Sequence, residues 1–107
     1  MARLCDLSCK ACRGGVPVLG GDELAGYAEQ VPDWSIIDEH HLSRTFRFPD
    51  FAAALTFVNR VGALAEEEAH HPNILLMWGR VTIDLWTHKV NGPTESDFIL
   101  AAKIDRL

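Results

Sequence analysis

Residues 66–73 read EEEAHHPN: three carboxylates run into two adjacent histidines, and a proline stops the run. An imidazole gives or takes a proton near neutral pH, its ordinary pKa being about 6.5. A neighbouring carboxylate fixes the ring tautomer and favours the charged ring. Glu66 and Glu67 precede His70 by four and three residues, offsets that share one helix face. The stretch therefore has three readings: a proton-transfer site, part of a metal site, or the polar end of a helix. As a helix end, Glu67 and Glu68 face solvent and His70 suits the helix dipole. As a metal site, it would take His88 as a third ligand, yet the HxxxH or HExxH spacing of helical zinc sites is missing. The sequence has no glycine-rich phosphate loop, and no Ser or Cys stands in a nucleophile motif near these histidines. Acid–base catalysis on a bound small molecule is the chemistry these residues support best, a contribution of roughly 10²–10⁴ in rate.

A second cluster of reactive types is Cys5, Cys9 and Cys12. The spacing C-x3-C-x2-C looks like the iron–sulfur motif of radical SAM enzymes, but 107 residues cannot build the large partial barrel those enzymes need. A zinc site would need a fourth ligand, from a distant residue such as His40 or His41. An odd cysteine count with no export signal argues against a disulfide framework. The expectation is a reduced, flexible arm over residues 1–19, with Gly14, Gly15, Pro17, Gly20 and Gly21 breaking any regular element at its end.

The elements that must position the histidines follow from periodicity. Asp22–Gln30 reads as a short helix, acidic at its start and ended by Pro32. Trp34–Ile37 and Leu42–Phe48 read as strands joined by a turn at Asp38–His40, a hairpin. Asp50 is a candidate N-cap for a long helix that ends near His70, since Pro72 disfavours helical backbone at His71. Phe51, Leu55, Val58, Gly62 and Ala65 mark its apolar face. Ile74–Trp78 and Val81–Trp86 form a second hairpin across Gly79–Arg80. Thr94, with Asp97 three residues on, resembles a capping box that opens the last helix.

The order α-β-β-α-β-β-α implies an α+β two-layer sandwich, a four-stranded antiparallel sheet with three helices on one face. The start of one hairpin strand and the end of its partner lie at the same sheet edge, so His70, His71 and His88 can converge. Trp86 and part of Ile74–Trp78 fall on the open face, which suggests a ligand or a partner subunit there.

Composition limits the class of function. The chain has 107 residues, 48% of them hydrophobic, enough for one domain with a real core. Its net charge of −5 argues against direct nucleic-acid binding. No apolar run approaches the roughly 20 residues needed to cross a bilayer, and the N-terminus has no signal-peptide stretch, so the expected location is the cytosol.

The pattern E-x3-H-H-P, a strand, then T-H-x3-G-x-[ST]-x2-D resembles the pterin-4a-carbinolamine dehydratase family. It is carried here by Glu66, His70, His71, Pro72, Thr87, His88, Gly92, Thr94 and Asp97. The resemblance covers residues 20–107 as a single domain, and the arm with CRGG resembles an extension on some bacterial members. It implies the same fold and a dehydratase that removes water from 4a-hydroxytetrahydropterin, giving quinonoid dihydropterin, in tetrahydropterin recycling. It implies no metal and no organic cofactor. His70, His71 and His88 would line the pterin pocket, with His70 and His88 transferring protons and His71 orienting the ring. Glu66, Pro72, Thr87 and Asp97 would support substrate binding, although Asp97 also reads as a helix cap. Trp86 would either stack on the pterin or pack at a subunit interface, and packing is the expectation. Family resemblance further implies a homodimer or homotetramer and a functional link to phenylalanine hydroxylase. The alternative is a non-catalytic binding partner, assembly factor or coactivator on the pterin fold. Pro93 stands where the family usually has an apolar residue such as Leu, and is expected to stiffen the loop after His88.

Overall fold

Asp50 starts the longest helix by accepting a hydrogen bond from the Ala53 backbone N–H at 2.8 Å, as its type predicts. In the structure, a computed structural model that describes residues 3–7 and 17–107, that helix is α2, Phe51–Glu68. Before it come α1 (Gly21–Ala28), β1 (Ser35–Ile37) and β2 (His41–Arg47); after it come β3 (Asn73–Met77), β4 (Arg80–Leu85) and α3 (Glu95–Ile104). The order is the expected one, an α+β sandwich with three helices against a four-stranded antiparallel sheet ordered β1-β2-β4-β3.

Alternation on β4 sends Val81, Ile83 and Leu85 into the core, all at 0% exposure, while Thr82 and Asp84 face the other way. The β2–β4 register pairs Leu42 with Leu85 and Thr45 with Thr82, whose hydroxyls share a hydrogen bond on the open face. β3 is an edge strand, and Leu75 and Met77 are exposed on it, with Trp78 in the turn that follows. α3 is buried on most of its circumference, because α1, α2 and a 3-10 turn at Leu4–Asp6 all pack on it. Leu4 of that turn joins the core. Burial on several sides makes α3 the element that carries polar groups such as Asp97 into the interior.

Several local details depart from the sequence expectation. The buried face of α2 is Ala54, Val61 and Ala65, flanked by Phe57, Val58 and Leu64; Phe51 and Leu55 are exposed. The apolar stripe is wider than the surface that the sheet and α3 cover. α2 ends at Glu68, two residues early, because Ala69 turns left-handed (φ 52°). The His70 N–H then reaches the Ala65 carbonyl and the Ala69 N–H the Glu66 carbonyl, a Schellman closure usually built on glycine. Glu68 does not face solvent: its carboxylate takes the Lys103 ammonium at 2.6 Å, tying α2 to α3, with side chains only 9% and 17% exposed. Glu67 is exposed, as expected.

Candidate active site

The left-handed turn at Ala69 separates the two histidines. His70 folds beneath the end of α2, 7% exposed, and its Nε2 lies 2.6 Å from Asp97 Oδ1. His71 stays outside, and its Nε2 meets Glu66 Oε2 at 2.5 Å, with the two side chains 61% and 78% exposed. The i,i+4 offset from Glu66 to His70 is therefore not used. The helix stops before His70, so the chain reverses and brings His71, not His70, back over Glu66.

Asp97 is both a cap and a partner to histidine. Its Oδ2 accepts from the Thr94 backbone N–H and the Thr87 hydroxyl, each at 2.9 Å, which completes the capping box of α3. Its Oδ1 is left for His70. Thr87 also shares a hydrogen bond with Thr94 Oγ1 at 2.8 Å. The carboxylate has 0% exposure, and no buried side-chain polar atom among the described residues lacks a partner. A fully satisfied buried network of this kind holds its members in one geometry. With Nε2 committed to Asp97, Nδ1 is the His70 nitrogen left for a ligand.

His88 does not end β4. The strand stops at Leu85, Thr87 bridges to Gly92, and His88 opens a 3-10 turn, His88–Val90. Its ring stacks on Trp86, centroids 4.4 Å apart and planes 10° from parallel. A depression of about 260 Å³ is lined by Ala69, His70, His71, Trp86, Thr87, His88 and Lys89. That volume lies near the lower end, about 300 Å³, of ordinary small-molecule sites. The lining combines an indole, three imidazoles and one cation, a surface suited to a flat polar heterocycle.

The structure thus brings His70, His71, His88 and Thr87 to one wall, with Asp97 behind His70 and Glu66 beside His71. Pro72 is half-buried and lies outside the residues lining the depression. Pro93 is buried, and its carbonyl accepts the Leu19 N–H at 2.8 Å, which ties the loop to the segment before α1. The roles of Ala69 and Lys89, and of His40 and His41 beside Trp86, were not legible in the sequence. His41 faces Trp86 only because Leu42 pairs with Leu85, a register that spacing alone does not give. Cys9 and Cys12 lie outside the described residues, whereas Cys5 is a free thiol. Among the described residues, no three His, Cys, Asp or Glu side chains are grouped as metal ligands, and no helix is long and apolar enough to cross a membrane.

Residues 17–107 match the family model described as pterin 4 alpha carbinolamine dehydratase. This chain belongs to that family. A relative from Rubrobacter xylanophilus, provisionally named a pterin-4-alpha-carbinolamine dehydratase, is 57% identical over the full length of both chains. Another with the same provisional name, from Syntrophotalea carbinolica, is 51% identical over 100% of this chain and 98% of its own. Among solved structures, a transcriptional coactivator/pterin dehydratase from Brucella melitensis superposes with a TM-score of 0.79 at 31% identity, over 84% of this chain and 97% of that one. A pterin dehydratase-like protein identified as a RuBisCO assembly factor in the alpha-carboxysome gives a TM-score of 0.60 at 28% identity, over 69% of this chain and 87% of its own. Membership of the pterin dehydratase family gives the wall of histidines a ligand class to be tested against.

Proposed function

We propose that this chain is a 4a-hydroxytetrahydropterin dehydratase that works by histidine acid–base catalysis. The observation that carries the reading is the buried His70–Asp97 pair at 2.6 Å, on the same depression as His88. The carboxylate accepts the Nε2 proton, so neutral His70 presents the bare Nδ1 lone pair, the form of a base. Loss of water needs one proton delivered and one removed. His88 as imidazolium protonates the 4a-hydroxyl, and the C–O bond breaks with its electron pair leaving as water. His70 takes the proton from the adjacent ring nitrogen, whose electrons form the new C=N bond of the quinonoid dihydropterin. The two protons balance, and water regenerates the starting states. His71, held by Glu66, hydrogen-bonds the pterin ring edge, and Thr87 and Asp97 keep the wall in place. Pro72 shapes the backbone between His71 and β3 and acts on substrate only indirectly.

The test follows the decay of enzymatically generated 4a-hydroxytetrahydropterin with and without the protein. Acceleration at micromolar protein is expected, and its loss in a folded His70→Ala plus His88→Ala double variant. No acceleration by the wild-type chain would refute the reading. A second reading, a binding partner or assembly factor, is favoured by the exposed Leu75, Met77 and Trp78 at the β3 edge. Unpaired strand edges with apolar side chains invite another chain. A second copy of this chain in a homodimer or homotetramer is the proposed occupant, and sedimentation of the purified protein measures it. A link to a phenylalanine hydroxylase follows only if the dehydratase activity is found.

A further inference from the structure

His88 is the least restrained of the histidines lining the depression. It is exposed, it sits on a three-residue turn, and among the described residues no hydrogen bond holds its ring nitrogens. Two supports define where its ring points. One is the Trp86 indole, stacked on it at 4.4 Å. The other is the turn itself, closed where the Asn91 N–H meets the His88 carbonyl at 3.2 Å.

His40 touches both supports. Its ring lies 5.3 Å from the Trp86 ring, and its Nε2 bonds Asn91 Oδ1 at 3.1 Å. Its Nδ1 lies 3.0 Å from His41 Nδ1, and His41 packs on the same indole at 5.7 Å. Because Asn91 Oδ1 only accepts, His40 carries its proton on Nε2, and a neutral His40 then accepts from His41 Nδ1–H. The chain is directional: His41 donates to His40, and His40 donates to Asn91. Both ends of the link are held in unusual backbone. Asp38 and Glu39 are both left-handed (φ 53° and 52°), and the His40 N–H closes their turn on the Ile37 carbonyl at 2.8 Å. Asn91 is left-handed too (φ 53°). With Ala69 beside His70, these are the positive-φ non-glycine residues of the described chain, and all four flank this site. Such backbone persists where the surroundings over-determine it, and it clusters at functional sites.

We propose that His40 is a positioning residue for His88. It clamps Trp86 and Asn91 together, so that the His88 ring is presented to the depression in one orientation. The inference rests on the proposed role of His88, and it adds a residue from the opposite hairpin that lies outside the depression's lining.

The test joins a spectroscopic readout that needs no substrate to a kinetic one. In the wild-type chain, the His88 ring protons should carry the upfield ring-current shift of a stacked indole, read by proton–nitrogen NMR of the imidazoles. His40→Ala should lose most of that shift, and kcat should fall by up to about 100-fold, as a displaced catalytic group does. KM should stay within about twofold, because uniform binding is untouched. His40→Gln, whose amide can still donate to Asn91, should restore both signals. Should His40→Ala fail to fold, Asn91→Gly removes the same link at a position glycine favours, and Asn91→Asp keeps the acceptor as the control. Loss of the His88 shift in Asn91→Gly but not in Asn91→Asp supports the clamp. An unchanged shift in folded His40→Ala or Asn91→Gly overturns it. A wild-type chain without dehydratase activity, yet with a His88 shift that His40→Ala abolishes, would refute the reaction and support the positioning.

Discussion

Replacing Asp97 separates its two jobs. Asp97→Ala removes the side-chain half of the α3 capping box and leaves the His70 Nε2–H unpaired in a site 7% exposed. Loss of a cap costs about 1 kcal/mol. A buried donor left without a partner costs about 1–3 kcal/mol more. Thr87 keeps Thr94 Oγ1 at 2.8 Å, so it adds little. The total is roughly 2–4 kcal/mol, out of about 5–15 kcal/mol for a domain. With a urea dependence of about 2 kcal/mol per molar, the unfolding midpoint falls by about 1–2 M. Asp97→Asn should behave differently. Its carbonyl can still accept from Thr94 and Thr87, while its amide turns toward His70. His70 Nε2 must then accept, and the ring proton moves to Nδ1, the nitrogen proposed to act as base. Stability should drop by no more than about 2 kcal/mol, while the dehydration rate falls by roughly 10²–10⁴. Urea titration by circular dichroism and the pterin decay assay read the two effects separately. Wild-type dehydration by Asp97→Asn would refute the tautomer argument. A loss under about 0.5 kcal/mol in Asp97→Ala would refute the claim that the network holds α3 to the site.

Three further outcomes follow from the geometry. Lys103→Ala removes the ammonium that ties α3 to the largely buried Glu68 carboxylate and should cost about 1–3 kcal/mol in urea unfolding, whereas Glu66→Gln, at a pair open to solvent, should change stability by less than about 1 kcal/mol. Ala69→Gly relieves a left-handed alanine and should raise stability by about 1 kcal/mol, seen as a higher urea midpoint; a lower midpoint would mean that the turn is not strained. The Tyr27 hydroxyl donates to Glu95 Oε2 at 2.5 Å, and that bond, with burial and the charges of Glu95 and Glu23, raises its pKa from 10.0 to about 12. The folded state therefore holds this proton more tightly than the unfolded chain. Its stabilisation is complete below pH 10 and is lost between pH 10 and about 12, so stability should fall across that window in wild type and fall less in Tyr27→Phe.

Much of the fold was legible in the sequence because it rests on local rules. Alternating residues gave β2 and β4, Asp50 gave the start of α2, and Thr94 with Asp97 gave the capping box of α3. The end of α2 was misplaced by two residues, because the left-handed closure fell on an alanine, a type that sequence rules do not associate with it. Glu68 was expected in water because three consecutive glutamates resemble a solvated face; only the packing of α3 shows the lysine that receives it.

By itself the sequence determined which residues could do chemistry and that a hairpin brings His70, His71 and His88 to one edge. Side-chain type and chain connectivity suffice for that. Tertiary structure alone decided which carboxylate serves which histidine. Asp97 reaches His70 from α3, 27 residues away, while Glu66 is left to His71. It also placed His40 and His41 behind Trp86, through the pairing of Leu42 with Leu85. Partners distant in sequence are selected by strand register and helix packing, which minimise the energy of the whole core rather than of any local window.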